Sequence, residues 1–382
     1  MRPEPSVDEA GFASEDPRLR GAQLTVVVPT YNESENVVAL VGRLRSALVD
    51  VAWEVIFVDD ASPDGTAERV RELALEDRRI RVLQRFGRRG LSSACIEGML
   101  ASAAPYLAVI DADLQHDERL LPSMLETLRS GNAEIVVGSR YVSGGGIGEW
   151  DRGRARLSRI GVRLSRVLVP EGLQDPMSGF FMMHRDVFER SRDRLSAIGF
   201  KLLADLFASH PGPLRFEELP YQFQPRTAGE SKLDSVTAWD YAMLLLDKMV
   251  GHVVPVRFVA FSIVGVLGIA VHFAVLTPLL RIAHERFTVA QAIAALCAMT
   301  FNFALNNLLT YRDARLRGWR WLRGWFLFVL ACSIGGVMNV TVASVIFKSY
   351  GTWVIGALGG ILVGSMWNYA VTKFFTWGRS GT

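Results

Sequence analysis

The sequence predicts an α/β domain built on a mainly parallel sheet, followed by a four-helix transmembrane domain. Apolar runs of strand length alternate with amphipathic helical stretches from Leu24 to about Pro220, and four long apolar stretches follow Pro255. Half of the 382 residues are hydrophobic and the mean hydropathy is +0.21, too greasy for an ordinary soluble enzyme.

The expected strands are "LTVVVP" (24–29), "WEVIFVDD" (53–60), "IRVLQR" (80–85), "YLAVIDAD" (106–113) and "AEIVVGSR" (133–140), with helices at 34–49, 66–77, 91–104 and 118–130 between them. Strands apolar at nearly every position are buried on both faces, which helices on either side of a parallel sheet provide. Ligands of such sheets bind at the carboxyl ends of strands. There the polar clusters fall: "PTYNE" (29–33), "DDASPDGT" (59–66) and "DADLQ" (111–115).

The apolar stretches Phe258–Leu280, Phe287–Leu309, Trp325–Ile346 and Trp353–Phe375 each approach the ~20 residues that a bilayer-spanning helix needs. The connection at 311–324 holds Arg312, Arg315, Arg317, Arg320 and Arg323 against Asp313, so the positive-inside tendency puts that loop, both termini and the α/β domain in the cytosol. The helical half also repeats: "FNFALNNLLTYR" (301–312) aligns with "WNYAVTKFFTWG" (367–378), and "SIVGVLGIAV" (262–271) with "SIGGVMNVTV" (333–342). Two helices per copy keep both copies in one orientation. Asn302, Asn306, Asn307, Asn339, Asn368 and His272 are polar within these spans, suiting interhelical hydrogen bonds or a headgroup or transport role.

The boundaries are expected at 1–22 for a charged, disordered tail, 23–234 for the α/β domain, 235–254 for an interfacial amphipathic helix and linker, and 255–382 for the transmembrane domain. The tail lacks the apolar core of a cleaved secretory signal, so the chain is expected to start in the cytosol. Within 235–250, Trp239, Met243, Leu246 and Val250 share one helical face, which suits the membrane interface or packing on the α/β domain. In 151–170, six arginines accompany Leu157, Ile160, Leu164 and Leu168, as on a helix resting on anionic lipid or on a solvated surface helix.

Cys95, Cys297 and Cys332 have no CxxC spacing and read as small buried residues, and the six histidines show no HxxxH spacing. The net charge of +3 gives no overall field, and no nucleic-acid partner is expected. Asp111 and Asp113, two apart on an extended segment, would share one side and face a cleft, where a divalent ion relieves their repulsion and Gln115 adds a neutral oxygen. Oxygen-only ligands favour Mg2+ or Mn2+ bridging to substrate phosphates, whereas a turn and helix cap is the plainer use of such a pair. Tyr31 offers an aromatic face, and Glu33, Asp59 and Asp60 offer carboxylates, which suits a base and ribose. No GxGxxG or GxxxxGK[ST] occurs at either place, arguing against a dinucleotide fold or P-loop.

Eight motifs occur in an order that resembles the polyprenyl-phosphate mannose synthases, the dolichol-phosphate mannose synthase group of family 2 glycosyltransferases. They are "VVVPTYNE", "FVDDASPDGT", "GLSSA" (90–94), "DADLQH", "GSRY" (138–141), "DPMSGFF" (175–181), "GFKLL" (199–203) and "GESKL" (229–233). The helical half resembles the GtrA-like domain attached to some members. The resemblance implies a GT-A (Rossmann-like) fold and a hexosyltransferase that passes mannose from GDP-mannose to a polyprenyl or dolichyl phosphate, giving a polyprenyl-phosphate β-mannose at the cytosolic membrane face.

By that resemblance Pro29, Tyr31, Glu33, Val58 and Asp60 hold the nucleotide. Asp111, Ala112, Asp113 and Gln115 form the diphosphate and metal segment, with Asp113 and Gln115 the direct ligands. Arg140, Lys201, Arg226 and Lys232 surround the phosphates, and Asp175 orients the sugar or caps a turn. The family often has a second basic residue after Arg226, where this chain has "RTAGESKL". The same clusters would serve UDP-glucose or another donor. A processive synthase is disfavoured because QxxRW is missing, a lipid-carrier translocator would suit the repeated helices, and a homo-oligomer is left open.

Overall fold

The computed structural model describes residues 21–146, 169–196, 199, 201–224, 243–248, 254–281, 286–350 and 353–377. These separate into two compact units, divided between Lys248 and Met249.

The first unit carries a seven-stranded sheet. Its strands are β1 (Leu24–Thr30), β2 (Trp53–Asp59), β3 (Ile80–Gln84), β4 (Tyr106–Val109), β5 (Ile135–Ser139), β6 (Phe181–His184) and β7 (Phe216–Pro220), in the spatial order β3-β2-β1-β4-β6-β5-β7. All neighbours pair in parallel except β6, which runs antiparallel to β4 and to β5. The reversal brings the start of β6 to the edge where β1, β2, β4, β5 and β7 end. Helices α1 (Ser34–Ala47), α2 (Thr66–Glu76), α3 (Leu91–Leu100), α4 (Leu121–Arg129), α5 (Arg185–Ser191) and α6 (Leu202–Ser209) cover both faces. Leu24, Val26 and Val28 pack in one core with α1 and α4, while Val27 and Ile56 pack in the other with α3 and α6. Alternate residues of one strand thus feed opposite cores, as buried parallel strands require.

The described part of the 235–250 stretch, residues 243–248, is helical and packs on this unit. Met243 and Leu244 are buried, and Lys248 Nζ lies 2.6 Å from Asp205 Oδ1. Trp239 and Val250 lie outside the described residues. So does nearly all of 151–170.

The second unit consists of α7 (Val256–Arg281), α8 (Phe287–Leu305), α9 (Trp319–Tyr350) and α10 (Trp353–Val371). Three segments among the described residues are long and apolar enough to cross a membrane: Val256–Arg281, Val289–Thr310 and Trp319–Ser349. The sequence repeat has a structural counterpart. Both α8 and α10 run into a π-helical turn, at Asn306–Thr310 and Thr372–Thr376. The aligned residues that follow, Tyr311 and Trp377, stack on each other with ring centroids 4.1 Å apart and planes 5° apart. Asn307 Oδ1 accepts from Trp377 Nε1 at 3.2 Å, so one of the span asparagines does bridge helices. Asn302 and Asn368, another aligned pair, press on Gly268 and Gly335, where a Cβ would come within 2.3 Å and 2.0 Å of their Oδ1 atoms.

Candidate active site

Strand ends position the site. Pro29 and Val58 are register partners on β1 and β2, so Tyr31 and Asp60 leave adjacent strands at the same level. The Asp111–Gln115 segment departs from expectation: β4 stops at Val109, and Leu114 adopts a left-handed φ of 62°. Asp111, Asp113 and Gln115 therefore sit on a tight turn and not on an extended strand with one shared side. The turn is closed by Asp113 Oδ1, which accepts the Gln115 N–H at 3.2 Å. Ala112 is buried beneath it.

His116 completes this turn. Its Nδ1 accepts the Asp111 N–H at 3.3 Å, which puts the ring proton on Nε2, 4.0 Å from Asp111 Oδ2. The ring stacks on Phe180 and meets Tyr221 and Phe223 edge-on. Burial in this aromatic cage lowers its pKa to about 4, against a raising influence from Asp113, so the imidazole is neutral near pH 7.

Arg140, just past β5, is held by Asp175. Its Nε and Nη2 donate to Asp175 Oδ2 and Oδ1 at 2.7 and 2.8 Å, and its backbone N–H donates to Oδ2 at 3.1 Å. Asp175 is fully buried, and both of its carboxylate oxygens accept from the guanidinium. Burial pulls the Arg140 pKa down, but the Asp175 hydrogen bonds and charge outweigh it and raise it overall. Glu218 on β7 accepts the N–H groups of Gln174 and Asp175 at 2.7 and 2.9 Å, fixing that segment in turn.

Lys201 donates to the Met177 carbonyl at 3.2 Å, and burial, then the Arg140 charge, lowers its pKa to about 7, with Asp175 and Asp111 opposing. Lys201, Arg140, Asp111 and Asp175 therefore share one electrostatic neighbourhood. Arg226 and Lys232 lie outside the described residues.

Past β1 and β2, Arg89 lies over the Tyr31 ring at 4.2 Å from its centroid, and Glu33 Oε2 accepts from Asn36 Nδ2 at 2.8 Å. Both Asp60 oxygens hold the loop after β3: Oδ1 accepts Arg85 Nε at 2.7 Å and Oδ2 accepts the Gly90 N–H at 2.8 Å. Arg85 is fully buried and also reaches Glu97 at 3.2 Å. Sequence reasoning missed Arg85, Tyr221 and Glu218, which lack a local signal. His116 stood inside "DADLQH" but had no assigned role.

Among the described residues no three His, Cys, Asp or Glu side chains converge as a metal site. The donor set nevertheless fits a hard cation of the Mg2+ or Mn2+ kind. Gln115 Nε2 donates to the Gln224 carbonyl at 2.9 Å, which leaves Oε1 as that amide's ligand atom. Gly179 keeps the space next to Asp111 clear, since a Cβ there would stand 2.9 Å from Asp111 Oδ2.

Comparison with known proteins assigns the chain. A dolichol-phosphate mannosyltransferase of Pyrococcus furiosus is 32% identical over 357 residues, 93% of this chain and 99% of that protein. The glycosyl transferase family 2 pattern matches residues 25–192.

The chain belongs to glycosyl transferase family 2.

It is a glycosyltransferase, and residues 260–377 match the GtrA/DPMS transmembrane domain, which makes it a membrane protein. A dolichol-phosphate mannosyltransferase of Saccharomyces cerevisiae is 35% identical over 232 residues, 58% of this chain and 85% of that protein. Among solved structures, glucosyl-3-phosphoglycerate synthase from Mycobacterium tuberculosis, in complex with Mn2+, UDP and phosphoglyceric acid, aligns at 15% identity with a TM-score of 0.44, covering 60% of this chain and 78% of that one.

Proposed function

We propose that this glycosyltransferase moves mannose from GDP-mannose to a polyprenyl phosphate at the cytosolic membrane face, in a divalent-cation-dependent reaction that inverts the anomeric centre. The observation that carries this reading is the gathering of Asp111, Asp113, Arg140 and Lys201 at one edge of the sheet, in a chain whose relatives are dolichol-phosphate mannosyltransferases.

The acceptor is a phosphate monoester that is ionised near neutral pH, so its oxygen attacks without a general base. The greater task is to stabilise the departing diphosphate. Arg140, held by Asp175, presents a fixed positive charge with no reorganisation during the reaction. Lys201, poised near pH 7, becomes fully charged when a phosphate approaches. Tyr31 and Glu33 serve the base and ribose, and Asp60 fixes the loop beside them. Asp113 and Gln115, supported by Asp111, would hold the cation, which when bound adds charge neutralisation on the diphosphate. In-line displacement on an α-linked donor then yields a β-linked lipid product.

The test compares GDP-mannose and UDP-glucose turnover by the purified full chain with a polyprenyl phosphate acceptor. Mannose transfer from GDP-mannose is expected, and strict use of UDP-glucose would sink the donor assignment. Asp113→Ala should abolish transfer and leave membrane insertion intact; undiminished transfer would refute the metal role.

A further inference from the structure

One end of the helical unit differs in charge from the other. Short connections between successive helices make them alternate in direction, so the start of α7, the end of α8, the start of α9 and the end of α10 lie together. Ring contacts tie these four ends: Phe258 to Tyr369 at 5.3 Å, Phe303 to Trp321 at 5.1 Å and Tyr311 to Trp377 at 4.1 Å. At this end stand Arg257, Lys373 and the five arginines of the 311–324 connection, against the single acid Asp313. The opposite end carries three basic residues among those described, Arg281, Arg286 and Lys348.

The side chains at the basic end are turned outward. Arg315, Arg317, Arg320 and Arg323 are exposed, and between them Trp319 is 78% exposed at the first turn of α9, with Leu322 half exposed one turn on. In a water-soluble protein this would be an unexplained aromatic in a field of like charge. In a membrane protein an indole at a span's end sits at headgroup depth, and guanidinium groups beside it meet lipid phosphates.

We propose that this end of the helical unit is a docking surface selective for anionic phospholipid headgroups, with Arg317, Arg320 and Arg323 supplying charge recognition and Trp319 seating the helix at headgroup level. Guanidinium groups form charge-assisted, paired hydrogen bonds to phosphate oxygens. Each exposed basic residue near an anionic leaflet adds attraction that falls off within a Debye length. The surface is independent of the donor and acceptor chemistry proposed above: its occupant is the bulk phospholipid of the leaflet, not the polyprenyl phosphate substrate.

The test reconstitutes the full chain in phosphatidylcholine bilayers and measures the association of spin-labelled phosphatidylglycerol relative to spin-labelled phosphatidylcholine, with no polyprenyl phosphate present. A preference of ~3-fold or more for the anionic probe at ~0.15 M salt is expected, shrinking towards parity at ~1 M salt. The triple variant Arg317→Gln, Arg320→Gln, Arg323→Gln should lose most of it, while Lys348→Gln at the opposite end keeps it. Lysines at the same three positions should preserve the greater part.

Equal association of the two probes with the unaltered chain overturns the proposal. So does a preference undiminished in the triple variant. Helical circular dichroism reports whether the triple variant is folded. If it is not, Arg320→Gln and Arg323→Gln are read singly, each expected to lower the preference, and no change in either overturns the assignment.

Discussion

Asp175→Asn removes one charge from the Arg140 pair while keeping the shape of the side chain. The wild-type carboxylate accepts from Nε, Nη2 and the backbone N–H of Arg140 at 2.7, 2.8 and 3.1 Å, and the two side chains are 0% and 10% exposed. Removing one partner of a buried ion pair costs ~3–5 kcal/mol, and the slight exposure of Arg140 favours the lower figure. For a domain of this size that corresponds to a melting temperature lower by ~6–12 °C. In the mechanism proposed above the variant's guanidinium also loses its fixed aim at the diphosphate, and misplacement by ~1 Å costs ~100-fold in turnover. Thermal melting of the detergent-solubilised full chain reads the first effect, and transfer kinetics at saturating donor read the second. The double replacement Arg140→Met, Asp175→Leu should recover much of the stability without the activity. An Asp175→Asn chain that melts within ~2 °C of wild type and turns over normally would refute the claim that this pair holds the site.

Lys201→Met should lower transfer while raising stability near neutral pH, because a lysine with its pKa lowered to about 7 destabilises the fold wherever it must stay charged. The sign follows from proton binding: between about 7 and the ordinary 10.5 the unfolded chain binds the extra proton, so wild-type stability rises with pH across that window, and Lys201→Met should flatten the rise. Lys201 is half-buried, so solvent screens part of the effect; urea melts at pH 7 and 9.5 that shift equally in both chains would contradict it. Gly335→Leu places atoms where Asn368 Oδ1 stands 2.0 Å from the Cβ position, so it should separate α9 from α10 and lower the melting temperature, whereas the same change at Gly336, which has open space, should not. Equal melting of the two variants would count against close packing there.

Much of the first unit was legible because its determinants are local. β1 and β2 were read within one residue of their ends, since Val, Ile and Phe fill both faces of each strand. The end of β4 was overrun: "YLAVIDAD" has strand composition throughout, yet the chain turns at Leu114, where a positive φ is compensated by the Asp113 cap. Periodicity cannot foresee one left-handed residue. The motifs named candidate site residues; what holds the described ones in place was not readable. Arg140 and Asp175 are 35 residues apart and meet because β6 runs antiparallel beside β5, and Arg85 finds Asp60 across the β2–β3 pair. Such pairings are products of topology, invisible to spacing.

The contact of Tyr311 with Trp377 joins a residue to its own counterpart in the second copy, at parallel rings 4.1 Å apart. Such a self-meeting position behaves like the symmetry axis of a dimer, where one substitution in identical halves would alter both sides at once. Here the two rings differ, and the indole N–H of Trp377 donates to Asn307 of the first copy, whose aligned residue in the second copy is Lys373, so the two halves make unlike bonds across the axis.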